Sequence, residues 1–232
     1  MLFTTVSGQK TVHDIVVDGL AFSGYVTRDI APLPGGNTRW GLYFVEAERC
    51  VIRRCTAFLN GGGIAFVRPR DCLIEDCVGF GNFSTYSSSG GNIISWTPAS
   101  NTIMRRNLVH STISNGIRFY GDGAKDCLLE SNIAYDCGYG EIWIKGGDNT
   151  TSRIERNVSL GPIHNVGSSK PDNARWNLCE YASDLAEDGS NIFLNKMRRL
   201  DRNANFASPD HYDFRLQSDS ELRGKGPGGA DP

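Results

Sequence analysis

Apolar and polar residues alternate in short runs along most of this chain, and nearly the same run recurs at intervals. In each run Ile, Leu or Met stands between charged or polar neighbours, with Gly, Asn or Cys close by. Such brief alternation predicts short β-strands that each bury one face. A degenerate copy, DIVVDGLAF, precedes five segments that align without gaps: CVIRRCTAF, CLIEDCVGF, TIMRRNLVH, CLLESNIAY and SRIERNVSL.

The sixth position of the five segments forms a column of Cys and Asn. Its members are separated by 22, 30, 25 and 25 residues: Cys55, Cys77, Asn107, Asn132 and Asn157. Repeats of this length are typical of stacked coils, and their β-branched and aromatic content favours strands over helix pairs. We therefore predict an all-β fold, a right-handed parallel β-helix of about seven turns, or rungs. Equivalent residues of neighbouring rungs would lie about 4.8 Å apart, so stacked asparagines could hydrogen-bond.

The whole chain, residues 1–232, is predicted to form a single β-helix domain. Regular repeats cover residues 13–170, whereas residues 171–232 have the pattern of irregular rungs followed by a cap. The tail from Phe206 onward has no strand period. We expect it to cover the last open rung, because an uncovered sheet end invites edge-to-edge pairing.

Alternation within the first strand of each repeat assigns its residues to the inside or the outside of the coil. The apolar column should point inward: Ile52, Ile74, Met104, Leu129 and Ile154. The neighbouring charged column should point outward, where opposite charges on adjacent rungs support the register: Arg53, Glu75, Arg105, Glu130 and Glu155. A column of Cys50, Cys72 and Cys127 is interpreted as interior packing, because free cysteine behaves as a small buried hydrophobe.

A later strand in each repeat carries aromatic and cationic residues on its outward side. Its five copies are GLYFV, GIAFV, NIISW, GIRFY and EIWIK. We call the following outward residues the aromatic face: Tyr43, Trp96, Arg118, Tyr120, Trp143 and Lys145. His164 follows Trp143 in the same column if PIHNV is the next rung. Two long insertions, Thr27 to Trp40 and Asn82 to Gly91, precede this strand and are expected to wall a binding surface.

Composition and charge narrow the classes of partner. The chain has 24 basic and 26 acidic residues, a net charge of −2 and no basic block, which argues against nucleic acid. No apolar run approaches the roughly 18 residues of a membrane span, so no membrane partner is expected. None of the seven cysteines forms a CxxC pair suited to zinc or redox chemistry, and no cofactor is evident.

The NxxxxxxGI repeats and the closing DFRLQSDSELRGKGPGGADP resemble the right-handed β-helix family that includes pectate-lyase-like polysaccharide lyases, glycoside hydrolases and epimerases. This resemblance implies a polysaccharide partner bound along the stacked strands. It also implies a secreted, periplasmic or cell-surface location, and calcium as a possible ion. The chain lacks the clustered aspartates of the hydrolases, the acidic calcium cluster of many lyases and the Asp-Pro-His-type motif of the epimerases. The nearest string to that motif, Ser208 to His211, lies in the tail.

The aromatic face carries candidate groups for cleavage of an acidic glycan by β-elimination. Elimination requires neutralisation of the uronate carboxylate, a base for the C5 proton and an acid for the departing oxygen. We assign Arg118 to the carboxylate, Lys145 to the base, and Tyr120 or His164 to the acid. The remaining candidates would bind substrate, and the last three are also the nearest carboxylates for a hydrolase: Tyr43, Trp96, Trp143, Glu141, Asp122 and Asp148.

The leading hypothesis is therefore a lyase that acts on a uronate-containing polysaccharide. A non-catalytic β-helix is the first alternative, either a glycan-binding module or a structural surface protein that forms homo-oligomers through the aromatic face. A glycoside hydrolase or uronate epimerase is the second alternative, which ranks below elimination because the aromatic face is cationic.

Overall fold

Short parallel strands stacked in register make up almost all of the described structure. The computed structural model describes residues 2–3, 11–24, 40–82, 91–96, 98–121, 123–138, 140–145, 151–166, 174–179, 182–183, 192–193, 206–208, 213–220 and 223–224. Within these ranges every regular element is a strand, and none is a helix with the length and apolarity needed to cross a membrane. The all-β prediction is confirmed.

The strands form three parallel sheets of eight, seven and eight strands. Sheet 1 contains β1 (Leu2–Phe3), β5 (Trp40–Val45), β9 (Gly62–Val67), β12 (Gly91–Trp96), β16 (Asn115–Tyr120), β20 (Gly140–Lys145), β23 (Ile163–Val166) and β26 (Ala182–Ser183). Sheet 2 contains β3 (Val16–Asp18), β7 (Val51–Arg53), β10 (Leu73–Glu75), β14 (Ile103–Arg105), β18 (Leu128–Glu130), β21 (Arg153–Glu155) and β24 (Ala174–Arg175). Sheet 3 contains β4 (Ala21–Ser23), β8 (Thr56–Phe58), β11 (Val78–Phe80), β15 (Leu108–Thr112), β19 (Ile133–Cys137), β22 (Val158–Ser159), β25 (Leu178–Cys179) and β27 (Ile192–Phe193).

Three smaller strand pairs complete the described elements. Two of them are parallel and lie at a corner of the coil: β2 (Val12–His13) with β6 (Ala47–Glu48), and β13 (Ala99–Ser100) with β17 (Ala124–Lys125). The third pair is antiparallel and lies in the tail: β28 (Phe206–Ser208) with β29 (Asp213–Leu216). The tail therefore contains strands that its sequence pattern did not indicate, and its role as a cap stays a prediction.

Each rung visits sheets 2, 3 and 1 in turn, which is the path of a parallel β-helix. The predicted inward column is confirmed, because Ile74 pairs with Ile52 on one side and with Met104 on the other. All of these residues are fully buried in one continuous core. The coil also extends further than the regular repeats, since β24 to β27 add strands to all three sheets.

At both ends of the sheet 2 strands the chain turns through one residue whose backbone is in the left-handed region. Before the Cys and Asn column this residue has φ of 52° to 56° at five successive rungs: Arg54, Asp76, Arg106, Ser131 and Arg156. None of them is glycine, although such a backbone costs an L-residue roughly 1 kcal/mol or more. The hydrogen bonds made by the next residue in the chain offset that cost.

An asparagine ladder runs along this corner inside the coil. The Asn107 Nδ2 and backbone N both donate to Asn132 Oδ1 at 3.0 Å, and Asn132 makes the same pair of bonds to Asn157 at 2.9 Å. Each amide also donates to a carbonyl of the preceding rung, as Asn132 does to Met104 O at 3.0 Å. Asn177 continues the ladder beyond the repeats recognised in the sequence.

The outer side of sheet 2 carries ion pairs that partly match the predicted charge ladder. Arg105 donates to Glu75 on the neighbouring rung at 2.9 Å, as expected. Glu130 and Glu155 lie side by side, however, because the alternation of sign ends there. Arg156 bonds to Glu130 at 2.7 Å and Arg153 bonds to Glu155 at 3.0 Å, so flanking arginines compensate for the two adjacent carboxylates.

Sheet 3 resolves an alternation that the sequence left open. Ala57, Val109 and Ala134 belong to the core, so their neighbours point outward. Four outward rings stack in parallel, with centroids 5.0 to 5.2 Å apart: Phe58, Phe80, His110 and Tyr135. Burial lowers the pKa of His110, which is hydrogen-bonded to Ser111 Oγ at 3.0 Å. His110 is thus a buried, hydrogen-bonded member of this stack.

Candidate functional site on sheet 1

A second apolar cluster lies outside the coil, on the outward side of sheet 1. It consists of Trp40, Ala65 and Ile94, with Tyr43 and Trp96 packed against them, and it is separate from the main core. These residues alternate with core residues such as Leu42 and Ile93. The predicted outward columns of this strand are therefore confirmed for these rungs. Ala65 and Ile94 are nevertheless fully buried, which the sequence pattern alone did not indicate.

Trp40 organises this cluster, although the sequence analysis did not single it out. Its ring lies across Gly62, where ring atoms stand 2.7 Å from the place a Cβ would occupy. It stacks on Tyr43 with centroids 6.1 Å apart, and it meets Trp96 edge-on at 5.0 Å. Within the described structure the Nε1 atom of Trp40 is buried without a hydrogen-bond partner. The signal that could have identified Trp40 is the in-register glycine on the next rung, because only glycine leaves room for the ring.

Arg118 is the largest side chain that the described structure buries completely. It lies between Ile94 and Trp143 in the register of sheet 1, and its Cζ stands 4.3 Å from the centre of the Tyr120 ring. Burial lowers the pKa of Arg118 to about 10, and the coulombic interaction with Tyr120 acts in the opposite direction. The guanidinium remains a cation at neutral pH. The Arg118 side chain is thus less accessible to solvent than we expected of a group that binds a ligand carboxylate.

Glu141 is the second residue of β20, and we predicted that it would bind substrate near the aromatic face. It lies beside Gly116 on the next rung of sheet 1. A Cβ on Gly161 would overlap its carboxylate oxygens. The residue is 4% exposed. Its charge contributes, after desolvation, to raising the pKa of the buried Cys137 thiol. Glu141 is therefore nearly fully buried, although it stands two residues from the partly exposed Trp143 in the same strand.

The register of sheet 1 places the other candidates of the aromatic face. Tyr120 pairs with Lys145 and Trp143 pairs with His164, so the predicted alignment of PIHNV with the preceding rung is confirmed. For Lys145 and His164 the structure describes the backbone alone. Asp122 and Asp148 lie outside the described residues. Most of both long insertions, residues 27–39 and 83–90, also lies outside them.

All seven cysteines are free and buried, which confirms the interior-packing interpretation of Cys50, Cys72 and Cys127. Cys50 stacks on Cys72, and Cys55 stacks on Cys77, at the two corners that flank sheet 2. A hydrogen bond from Cys72 lowers the pKa of Cys50 to about 6, and one from Cys77 does the same for Cys55. Within the described ranges no three or more His, Cys, Asp or Glu residues lie close enough together to hold a metal ion.

Comparison with known proteins supports the fold and gives a family. The model of the periplasmic copper-binding protein (NosD) family matches residues 11–192. Neither the curated proteins nor the solved structures contain a significant match. The family match agrees with the parallel β-helix and with a periplasmic or cell-surface location, and it does not extend to the polysaccharide lyases. Because the match covers more than half of the sequence, this chain belongs to the NosD family of periplasmic β-helix proteins.

Proposed function

We propose that the protein binds an extended, acidic glycan along the aromatic face. The observation that carries this proposal is the second apolar cluster, in which Tyr43 and Trp96 remain partly exposed outside the core. Aromatic rings outside a core stack well on the apolar faces of sugar rings. Because the cluster lies on rungs about 4.8 Å apart, it offers successive contacts along one line.

Further groups of the aromatic face support an acidic ligand over a neutral one. Trp143 and Tyr120 are also partly exposed and continue the line by two rungs. The buried Arg118 guanidinium adds positive charge beneath them. A cation in a desolvated setting attracts a carboxylate more strongly than it would in water.

Replacement of Trp96 by Ala should weaken glycan binding about tenfold, or by about 1.4 kcal/mol, because one stacking ring is lost. The measurement is calorimetric titration of the full chain with oligosaccharides of alginate, pectate and a glycosaminoglycan. Val16→Ala is the matched control, since Val16 is 58% exposed but lies on sheet 2. Equal affinity of parent and Trp96→Ala for every oligosaccharide that binds would refute the proposed face.

Elimination is the second candidate function, and the strand register favours it. The register pairs Tyr120 with Lys145 on the next rung, and Tyr120 itself stacks against the Arg118 guanidinium. These are the residue types that β-elimination needs for the acid, the base and the carboxylate. Glycan binding and cleavage could therefore share one face.

If the protein is a lyase, it should release unsaturated uronates from one of the same three polymers, detected by their ultraviolet absorbance. Lys145→Ala should then lower the rate about 100-fold or more, the usual effect of losing a general base. Lys125→Ala, on an exposed position of β17, is the matched lysine control. Binding without any absorbance change would favour the non-catalytic module. Concentration-dependent self-association that Trp143→Ala abolishes would instead indicate a homo-oligomer interface.

The description of the family names copper as its ligand. The described residues restrict the kinds of copper site that the chain can form. A site with three or more ligands is not formed by the residues that the structure describes. Soft thiolates select monovalent copper, which accepts few ligands. Among the described residues the two stacked cysteine pairs are soft-donor pairs of this kind. Calcium gains no support from them, because it requires several oxygen ligands.

A further inference from the structure

A hydrogen-bonded serine and histidine lie on the outer side of sheet 3, away from the aromatic face. Ser111 Oγ stands 3.0 Å from His110 Nδ1, and the two residues follow each other in β15. Ser111 is exposed, whereas His110 is only 2% exposed. A serine hydroxyl within hydrogen-bond reach of an imidazole can act as a nucleophile, provided that the imidazole is neutral and held in place.

The ring stack of sheet 3 holds the imidazole in one orientation. His110 lies between Phe80 and Tyr135, with ring centroids 5.2 and 5.0 Å away and interplanar angles of 2° and 5°. The strand register fixes both neighbours, because Phe80 pairs with His110 and His110 pairs with Tyr135. A ring packed on both faces cannot turn freely, so its Nδ1 edge stays directed at Ser111.

Burial keeps the imidazole in the neutral form, which is the form that accepts a proton. It lowers the pKa of His110 below the ordinary histidine value of about 6.5. The charge of Asp136, on the next rung, acts on this pKa in the opposite direction. Asp136 Oδ2 also stands 3.2 Å from Ser111 Oγ. The ring is therefore a base at neutral pH, and a carboxylate stands close enough to stabilise the imidazolium once a proton has moved.

The residues beside Ser111 favour an uncharged substrate with an apolar group. Thr112 turns inward and donates to Asn82 O at 2.6 Å, so Ser111 and Ile113 both lie on the outer side. Ile113 is 53% exposed and offers an apolar contact two residues from the hydroxyl. Asp136 is exposed as well, and its carboxylate would repel an anionic substrate.

We propose that Ser111 and His110 hydrolyse uncharged carboxylic esters whose acyl chain contacts Ile113. Ser111 Oγ attacks the carbonyl carbon while its proton passes to His110 Nδ1. The tetrahedral intermediate then breaks its bond to the alcohol oxygen, which takes the proton from His110 and leaves as the alcohol. Water, deprotonated by His110, attacks the acyl group on Ser111 and releases the carboxylic acid, which restores both residues. This inference does not depend on the glycan proposal, since the aromatic face lies on sheet 1.

The first test is covalent labelling of the folded full chain with an alkyl fluorophosphonate, read by mass spectrometry of its peptides. Ser111 Oγ should displace fluoride at least about 100-fold faster than Ser131, the usual contribution of a general base. Ser131 is the matched serine, because its φ of 53° is close to the 48° of Ser111. It follows Glu130 in the chain, in place of a histidine. Equal labelling of the two serines in the parent would overturn the proposal.

The second test is hydrolysis of p-nitrophenyl butyrate, followed by the release of nitrophenolate. Ser111→Ala should reduce the rate to that of buffer alone, whereas Ser131→Ala should keep the parent rate. His110→Phe keeps a ring in the stack and should lower the rate about 100-fold or more. The anionic p-nitrophenyl hemisuccinate should react more slowly than the butyrate. A rate that survives Ser111→Ala, or one that His110→Phe leaves unchanged in a folded variant, would contradict the assigned roles.

Discussion

Replacement of Gly63 by Ala should cost at least about 3 kcal/mol in the free energy of unfolding, the upper end for an overpacked core. A Cβ at this position would overlap the backbone carbonyl of Asn92 on the next rung and would touch Asn82 Nδ2 at 3.0 Å. Backbone cannot move aside without a shift of a whole rung. Chemical denaturation of the purified chain measures the loss, and a variant recovered only as aggregate would agree with it.

Gly19→Ala is the matched control for this substitution. Gly19 has φ of +69° but nothing within 4 Å of a new Cβ, so Ala there meets backbone strain without overlap. Its expected cost is about 1 kcal/mol. Equal losses for the two variants would mean that glycine in this coil is required for its backbone freedom and not for the close approach of rungs.

Replacement of Asn132 by Ala should destabilise the coil by about 3 kcal/mol. The side chain is fully buried, accepts from Asn107 N and Nδ2 at 3.0 Å, and donates to Met104 O and Asn157 Oδ1. Alanine leaves buried donors and an acceptor without partners, and each such group costs about 1 to 3 kcal/mol. Denaturation measures the loss, and hydrogen exchange should show the Asn107 amide exchanging faster.

The chain provides its own comparison for the Asn132 variant. Cys77 occupies the same column and accepts no amide bond from a described side chain, yet its thiol lies within donating distance of Glu75 O at 3.2 Å and Ile52 O at 3.7 Å. Asn132→Cys should therefore lose less stability than Asn132→Ala. If the two variants were equally stable, the ladder would act through side-chain volume and not through hydrogen bonds.

Most of the coil was predictable because the alignment of one column of residues determines the register of the neighbouring strands. Once Asn107, Asn132 and Asn157 are aligned, alternation assigns the residues of sheets 2 and 1 to a side, whereas the sheet 3 strand that follows this column has no clear alternation in the sequence. Ile74 and Ile117 are buried in the core as that alignment requires. The family match and the register agree on the same architecture. A repeat is predictable in this way because every rung meets the same neighbours.

The candidate site was less predictable because it depends on features that do not repeat. Strand alternation shows that Arg118 points outward but cannot show that its side chain is fully buried. Glu141 stands two residues from Trp143 in β20, so alternation alone gives the two residues the same side and does not show that Glu141 is buried. Trp40 follows a non-repeating insertion, so its place above Gly62 follows from the register and not from the motif.

The equal spacing of the asparagine ladder bears on how such a chain can change length in evolution. Asn107, Asn132 and Asn157 follow one another at intervals of 25 residues, and each makes the same bonds to the next. After duplication or loss of one such 25-residue unit, each rung would still pack on a rung with the same pattern of buried residues. The stacked asparagines and the inward apolar residues would remain continuous. Insertions within a turn are accommodated where the chain passes from Phe80 to Gly91, before it re-enters sheet 1. Descendants of one ancestral coil can thus differ by whole turns in length while their insertions diverge independently.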